Sequence, residues 1–228
     1  MKITPIVTAL LSLGLLSATA NAASIDFRHQ YNSESKNHSS RVKMGNTFDN
    51  NFSVSLEVKF KGEDPTDFMK GLQNNGTEIG LGYTYKLSDQ WALQPGMPIE
   101  FRDSGTTFKP QLRLTYTPAS IDGLSLSGRY RLDVKNGAPD YEKYRHRGTF
   151  NAGYKMDQWK FGYEFNYYYA DDAQYTLYDN GRTNYDHNVT AHYSMGDWTP
   201  WVELGDVSVG KETSKRELRS RVGIAYKF

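Results

Sequence analysis

Arginine recurs two residues apart at Arg129 and Arg131, at Arg145 and Arg147, and at Arg219 and Arg221. Arg28, Arg41, Lys43, Lys109 and Arg113 extend the same pattern. A guanidinium is a planar fork with a permanent charge, and it grips carboxylates and phosphates through paired hydrogen bonds. A spacing of two places neighbours on one face of a β-strand, roughly 7 Å apart. Cations spread in that way hold an extended anion at many weak points. Such a surface suits passage or recognition of an anionic chain, and it needs no cofactor.

Catalytic constellations are poor by comparison. His192 and Ser194 lie two apart on one predicted strand face. A nucleophile needs a base within hydrogen-bond reach and a third group to orient that base. Two residues on the same strand face stand too far apart for this. His146 and His187 fall on the opposite, apolar face, and His29 reads as another interfacial residue. No two histidines have metal-ligand spacing, and the chain has no cysteine, so neither a metal site nor a disulfide is expected. Gly80-Leu81-Gly82 is followed by no helix and is not a nucleotide loop. Asp171-Asp172 reads as a solvated loop. Basic residues and tyrosines alternate onto opposite faces, which argues against a nucleic-acid partner. The expectation is no catalytic residue, no cofactor and no enzyme.

The elements that carry the arginines are strands. Lys2, an apolar run from Ile3 to Leu16, and Ala20-Asn21-Ala22 have the layout of a cleaved export signal, so residues 1–22 are assigned to a leader and 23–228 to one mature domain. The full chain carries 27 Lys and Arg against 26 Asp and Glu, so net charge says nothing about partners and only the placement of charge is informative. Beyond residue 22 no run is long and apolar enough for a membrane helix. Period-two alternation is nearly continuous instead. It predicts about twelve strands with charge-free faces, among them Phe52, Val54, Leu56, Val58 and Phe60, and Trp159, Phe161, Tyr163, Phe165 and Tyr167. The second strand is read with Val42, Met44 and Phe48 on its apolar face, and the eleventh with Trp198, Val202 and Leu204.

A charge on a lipid-facing position at mid-membrane costs roughly 2–4 kcal/mol, so a lipid face excludes it. The reading is therefore an all-β, closed, transmembrane antiparallel barrel in the bacterial outer membrane. Short turns at 49–51, 88–90, 118–123, 156–158 and 196–197 alternate with long connections near 32–40, 61–77, 103–107, 133–142, 170–184 and 206–216. Short turns belong to the periplasmic side. An even strand count then places both termini there. Twelve strands leave a narrow passage, wider than a filled eight-strand barrel and narrower than a large porin. The segments 61–77 and 170–184 are candidates to fold partly inward.

With one face in lipid, the other lines the lumen. Arg113, Arg129, Arg131, Arg145 and Arg147 fall on the sixth to eighth strands. Arg28, Arg41, Lys43, Arg219 and Arg221 fall on the twelfth, first and second. These two groups are expected on opposite walls, with Glu57, Glu78 and Glu100, and Glu164, Asp186 and Glu203, on the walls between. Together with Lys109 they form the candidate substrate-binding lining of the pore.

The leader, the strand count, the arginine ladders, the segment Trp198-Thr199-Pro200-Trp201-Val202-Glu203-Leu204-Gly205-Asp206-Val207 and the ending Arg219-Ser220-Arg221-Val222-Gly223-Ile224-Ala225-Tyr226-Lys227-Phe228 resemble the oligogalacturonate-specific porin (KdgM-type) family. The resemblance covers the whole mature chain. It implies a monomeric twelve-strand channel for acidic oligosaccharides such as pectin fragments, with relatives that take sialic acid. It carries that role onto Arg113, Arg129, Arg145, Arg147, Arg219 and Arg221. The terminal Phe228 resembles the signal read by the outer-membrane assembly machinery, and the remaining partners are membrane lipid and lipopolysaccharide. A porin of low selectivity and an outer-membrane hydrolase are the competing readings. An adhesin would place its informative residues in the loops, which here are ordinary and solvated.

Overall fold

The computed structural model describes residues 23–137 and 141–228, and the proposed leader lies outside the described residues. Alternation produces strands throughout. They are β1 (Ser24–Asn32), β2 (His38–Thr47), β3 (Phe52–Lys61), β4 (Gln73–Tyr83 with Tyr85–Lys86), β5 (Trp91–Gly96 with Ile99–Arg102) and β6 (Gly105–Phe108 with Gln111–Tyr116). The second half adds β7 (Leu124–Gly137), β8 (Tyr141–Met156), β9 (Trp159–Ala170), β10 (Thr183–Tyr193), β11 (Trp198–Ser208) and β12 (Arg216–Lys227). Each strand pairs antiparallel with its sequence neighbours. β12 closes on β1 from Ser24↔Lys227 to Asn32↔Arg219, so no edge is left open. The result is a closed twelve-strand antiparallel barrel.

Pro98 and Pro110 explain why β5 and β6 are interrupted. Proline has no N–H to give the ladder. The sheet continues past each break through Lys109 N–H to Pro98 O at 2.9 Å and Leu132 N–H to Pro110 O at 3.0 Å.

The distribution of polarity is inverted relative to a water-soluble protein. Val189, Val202, Leu204, Leu218 and Val222 are each at least half exposed, while Glu57, Glu100, Lys109, Asp133, Asn166 and Asn188 are buried. The charge-free face points outward to lipid and the charged face inward. An arginine on the outer face is expected to be costly: Leu204→Arg, in mid-strand, should destabilise the barrel by about 2–4 kcal/mol. Urea unfolding in phospholipid vesicles measures this, and a loss below 1 kcal/mol would contradict the lipid-facing assignment.

Turn chemistry closes the short-turn end. Asn51 and Asp157 take positive φ of 65° and 51°. Gly123 does so at 79°, where its backbone passes too close to Lys155 to leave room for a side chain. Both described termini lie at this end: Phe228 N–H bonds Ala23 O at 2.9 Å and Lys227 N–H bonds Asp197 O at 2.9 Å.

The barrel differs from the sequence reading in three places. The connection expected near 103–107 is a tight turn at Asp103-Ser104, because Thr106, Thr107 and Phe108 pair with Asn136, Lys135 and Val134. Likewise the segment 133–142 is mostly strand, with β7 and β8 paired out to Gly137↔Tyr141. This part of the hairpin is polar enough to look like a loop, since strands that extend past the lipid no longer need an apolar face. Phe48 is not in β2, which ends at Thr47; it sits in the following turn, its ring stacked on Phe52 at 6.4 Å.

Candidate functional site

The ring order sets the walls of the pore. β7 lies six strands from β1 in either direction, so the arginines of β6 to β8 face those of β12, β1 and β2 across the lumen. A cavity of about 490 Å³ spans this gap, lined by Lys43 from one wall and by Arg113, Arg129 and Arg131 from the other. The carboxylates Glu57, Glu78 and Glu100 pair across β3, β4 and β5 in a single row between the two walls.

The cations divide into two sets by their partners. One set braces the wall. Arg41 is ion-paired to Asp26 and, at 3.2 Å, to Glu57. Lys109 is held between Glu78 at 2.5 Å and Glu100 at 2.9 Å, and it is only 5% exposed. Asp133 takes Arg131 at 2.7 Å and Arg145 at 2.6 Å. Glu203 takes Arg221 at 2.7 Å and Arg219 at 3.4 Å. Arg147 donates to Asn166 Oδ1 at 2.7 Å and lies 3.5 Å from Glu164.

The other set has no carboxylate. Among the described residues no ion pair reaches Arg28, Lys43, Arg113 or Arg129. Among the described residues Arg129 donates only to Thr149 Oγ1, at 3.2 Å, and Arg28 Nε has no hydrogen-bond partner. An enclosed guanidinium without a counter-ion favours an anion in the adjoining water, because low-dielectric walls focus its field into the lumen.

The separation of arginines from acids is therefore incomplete. Asp133 sits inside one arginine group and Asp26 inside the other, where each neutralises its neighbours.

The mouth opposite the termini is narrowed from within. The connection between β9 and β10 places Leu177 beside Arg145, Arg147, Tyr168, Asn184 and Asp186 around a cavity of about 220 Å³. It is tethered to the β11–β12 connection by Asn180 N–H to Lys211 O at 2.9 Å and by the Tyr178 hydroxyl to Ser214 O. The connection after β3 behaves differently. Phe68 packs on the outward-facing His29 at 4.8 Å, so this part of the loop lies against the outer wall.

No hydrogen bond joins His192 to Ser194 among the described residues; Ser194 N–H is spent on Gln158 O at 2.9 Å. His146 bonds the Tyr130 hydroxyl at 2.6 Å and Asp171 at 2.9 Å on the outer face, and His187 bonds the Tyr163 hydroxyl at 2.7 Å. Among the described residues no group of three His, Asp or Glu is arranged to hold a metal ion.

The profile of the family described as "Oligogalacturonate-specific porin protein (KdgM)" matches residues 16–228. The chain belongs to this family. The oligogalacturonate-specific porin KdgM of Dickeya dadantii is 31% identical over the full length of both chains. An uncharacterised Salmonella typhimurium protein, YiiY, is 33% identical over 96% of each. The solved KdgM porin superposes with a TM-score of 0.67 and 29% identity over 90% of this chain and 99% of its own, and a structure of it in complex with disordered oligogalacturonate matches equally well. The protein is thus a KdgM-family outer-membrane porin.

Two features of this porin's lumen escaped the sequence reading. Tyr168 lies beneath Arg145 and Arg147, their guanidinium carbons 5.2 and 5.3 Å from its ring centre, with its hydroxyl on Asp186 at 2.8 Å. Trp201 turns into the pore. Residue parity carried the signal for both: Trp198, Val202 and Leu204 face outward on β11 and Tyr163, Phe165 and Tyr167 on β9, so Trp201 and Tyr168, of the other parity, must face inward.

Proposed function

We propose that this porin lets acidic oligosaccharides, oligogalacturonates or sugars of similar charge, diffuse across the outer membrane through a pore whose anion sites are Arg28, Lys43, Arg113 and Arg129. The observation that carries the proposal is this set of lumen cations without carboxylate partners, drawn from opposite walls. KdgM supports the substrate class by its name and by its complex with oligogalacturonate. Arg41, Lys109, Arg131, Arg145, Arg147, Arg219 and Arg221 hold the wall and add to its potential, and an arriving carboxylate competes for the outer ones. Dispersed contacts suit transport, since an anion must bind well enough to enter and loosely enough to leave.

The proposal extends to orientation and assembly. The short turns and both termini face the periplasm, residues 1–22 are removed on export, and the last strand presents Phe228 to the assembly machinery. The barrel works as a monomer and catalyses no reaction.

Planar-bilayer recording tests the reading. A salt gradient should give a reversal potential of the sign for anion preference. Tetragalacturonate should block the current at concentrations roughly tenfold below those of maltotetraose, a difference of about 1.4 kcal/mol. Equal block by the charged and the neutral sugar would favour a porin of low selectivity.

A further inference from the structure

The wall contains one ring laid flat. Trp201 on β11 pairs with Gly223 on β12, which pairs with Arg28 on β1. Its indole lies over Gly223, where even a methyl group would overlap Cε2 and Cζ2. The ring therefore crosses a whole strand, and its Nε1–H reaches Asp26 Oδ2 on β1 at 2.7 Å. The other oxygen of Asp26 is held by Arg41. The glycine beneath and the hydrogen bond at the far edge fix the indole against the wall. On the near side the His192 imidazole lies 5.7 Å away and tilted by 27°.

The flanking charges match this arrangement. Lys160, His192, Trp201, Gly223, Arg28, Arg41 and Lys59 form one continuous cross-strand row. Arg28, beside the far end of the indole, has no carboxylate of its own. The protein has four tryptophans. Trp91, Trp159 and Trp198 point outward and are at least 40% exposed on the lipid side. Trp201 alone stands on the lumen face of its strand.

We propose that Trp201 is a sugar-stacking platform in the pore: the C–H face of a pyranose rests on the indole while its carboxylate meets Arg28. Pyranose C–H bonds carry partial positive charge and suit the negative face of an indole. The carboxylate suits a guanidinium that lacks a partner. This gives the pore a means to distinguish a uronic-acid chain from a simple anion of equal charge. The proposal deepens the transport reading above and rests on it.

The test uses the full barrel in lipid, with block of the open-channel current by tetragalacturonate and by maltotetraose measured against each variant's own current. Trp201→Leu removes the flat ring and should weaken block by tetragalacturonate about fivefold to tenfold; Trp201→Phe should restore part of it. Folding of each variant is checked by heat-dependent gel mobility. Tryptophan emission of the wild-type protein provides a second readout. Tetragalacturonate should shift it with the same concentration dependence as block, and the shift should be absent in Trp201→Phe. If tetragalacturonate blocks the wild type and Trp201→Leu equally, or blocks without changing emission, the platform is wrong while the acidic-sugar reading stands. If only maltotetraose blocks, and does so through Trp201, the platform stands and the acidic-sugar reading fails. If neither sugar blocks nor alters emission, both are overturned.

Discussion

Replacing Arg113 and Arg129 together by glutamate is expected to abolish anion preference and to make the pore favour cations, with the barrel still folded. Among the described residues neither is ion-paired, so neither substitution strips a carboxylate of its partner. Both line the 490 Å³ cavity opposite Lys43. On the proposed ion path, each change reverses a charge beside the permeating ion. A charge about 5 Å from the ion path contributes about 1 kcal/mol in water and several times that between low-dielectric walls. The anion-to-cation permeability ratio should fall by at least tenfold, read from the reversal potential in a potassium chloride gradient. Tetragalacturonate block should weaken by a similar factor. The effect should shrink in concentrated salt, where screening shortens the reach of fixed charge. Unchanged selectivity in a folded double variant would remove Arg113 and Arg129 from the conduction path.

Lys109→Ala is expected to do the opposite: a large loss of stability with little change in selectivity. Lys109 is buried between Glu78 and Glu100, and its ammonium is spent on them. Glu100 keeps Lys59 at 2.6 Å and Arg102 at 2.8 Å. Glu78 has no other ion pair among the described residues. Removing one partner of a buried pair leaves an uncompensated charge, which costs about 3–5 kcal/mol. Water in the lumen offsets part of that, so about 3 kcal/mol is expected in urea unfolding. Lys109→Ala with Glu78→Gln should recover part of the loss, the difference being the coupling between the two groups. A loss below about 1 kcal/mol, or a marked fall in anion preference without one, would instead place Lys109 among the pore-facing anion sites.

These two predictions separate cations that a one-dimensional reading treats alike. Parity along a strand assigned Lys109, Arg113 and Arg129 to the same face, and that assignment agrees with the fold. It does not say which cation meets a carboxylate from another strand. Glu78 and Lys109 are 31 positions apart. Their contact depends on the register of β4 against β5 and of β5 against β6, and on the proline breaks that place Lys109 beside both acids. The same holds for Asp26, which the parity rule counts simply as a lumen acid. Only closure of β12 onto β1 brings Trp201 within reach of it, across 175 positions. The loops show a related gap. Composition marked 133–142 as a connection because polar strand beyond the bilayer looks like loop. It could not decide whether 61–77 or 170–184 would turn inward, which depends on packing against neighbouring connections.

The sequence by itself determined which side of every strand meets lipid, the number and direction of the strands, and the cationic bias of the interior. Each follows from a two-residue repeat and from the high cost of charge in hydrocarbon, both local properties. Tertiary structure alone decided which guanidiniums are neutralised and which stay open, which loop narrows the mouth, and where an indole lies flat. Those outcomes depend on interstrand register and on closing the ring, which bring together residues that no local pattern relates.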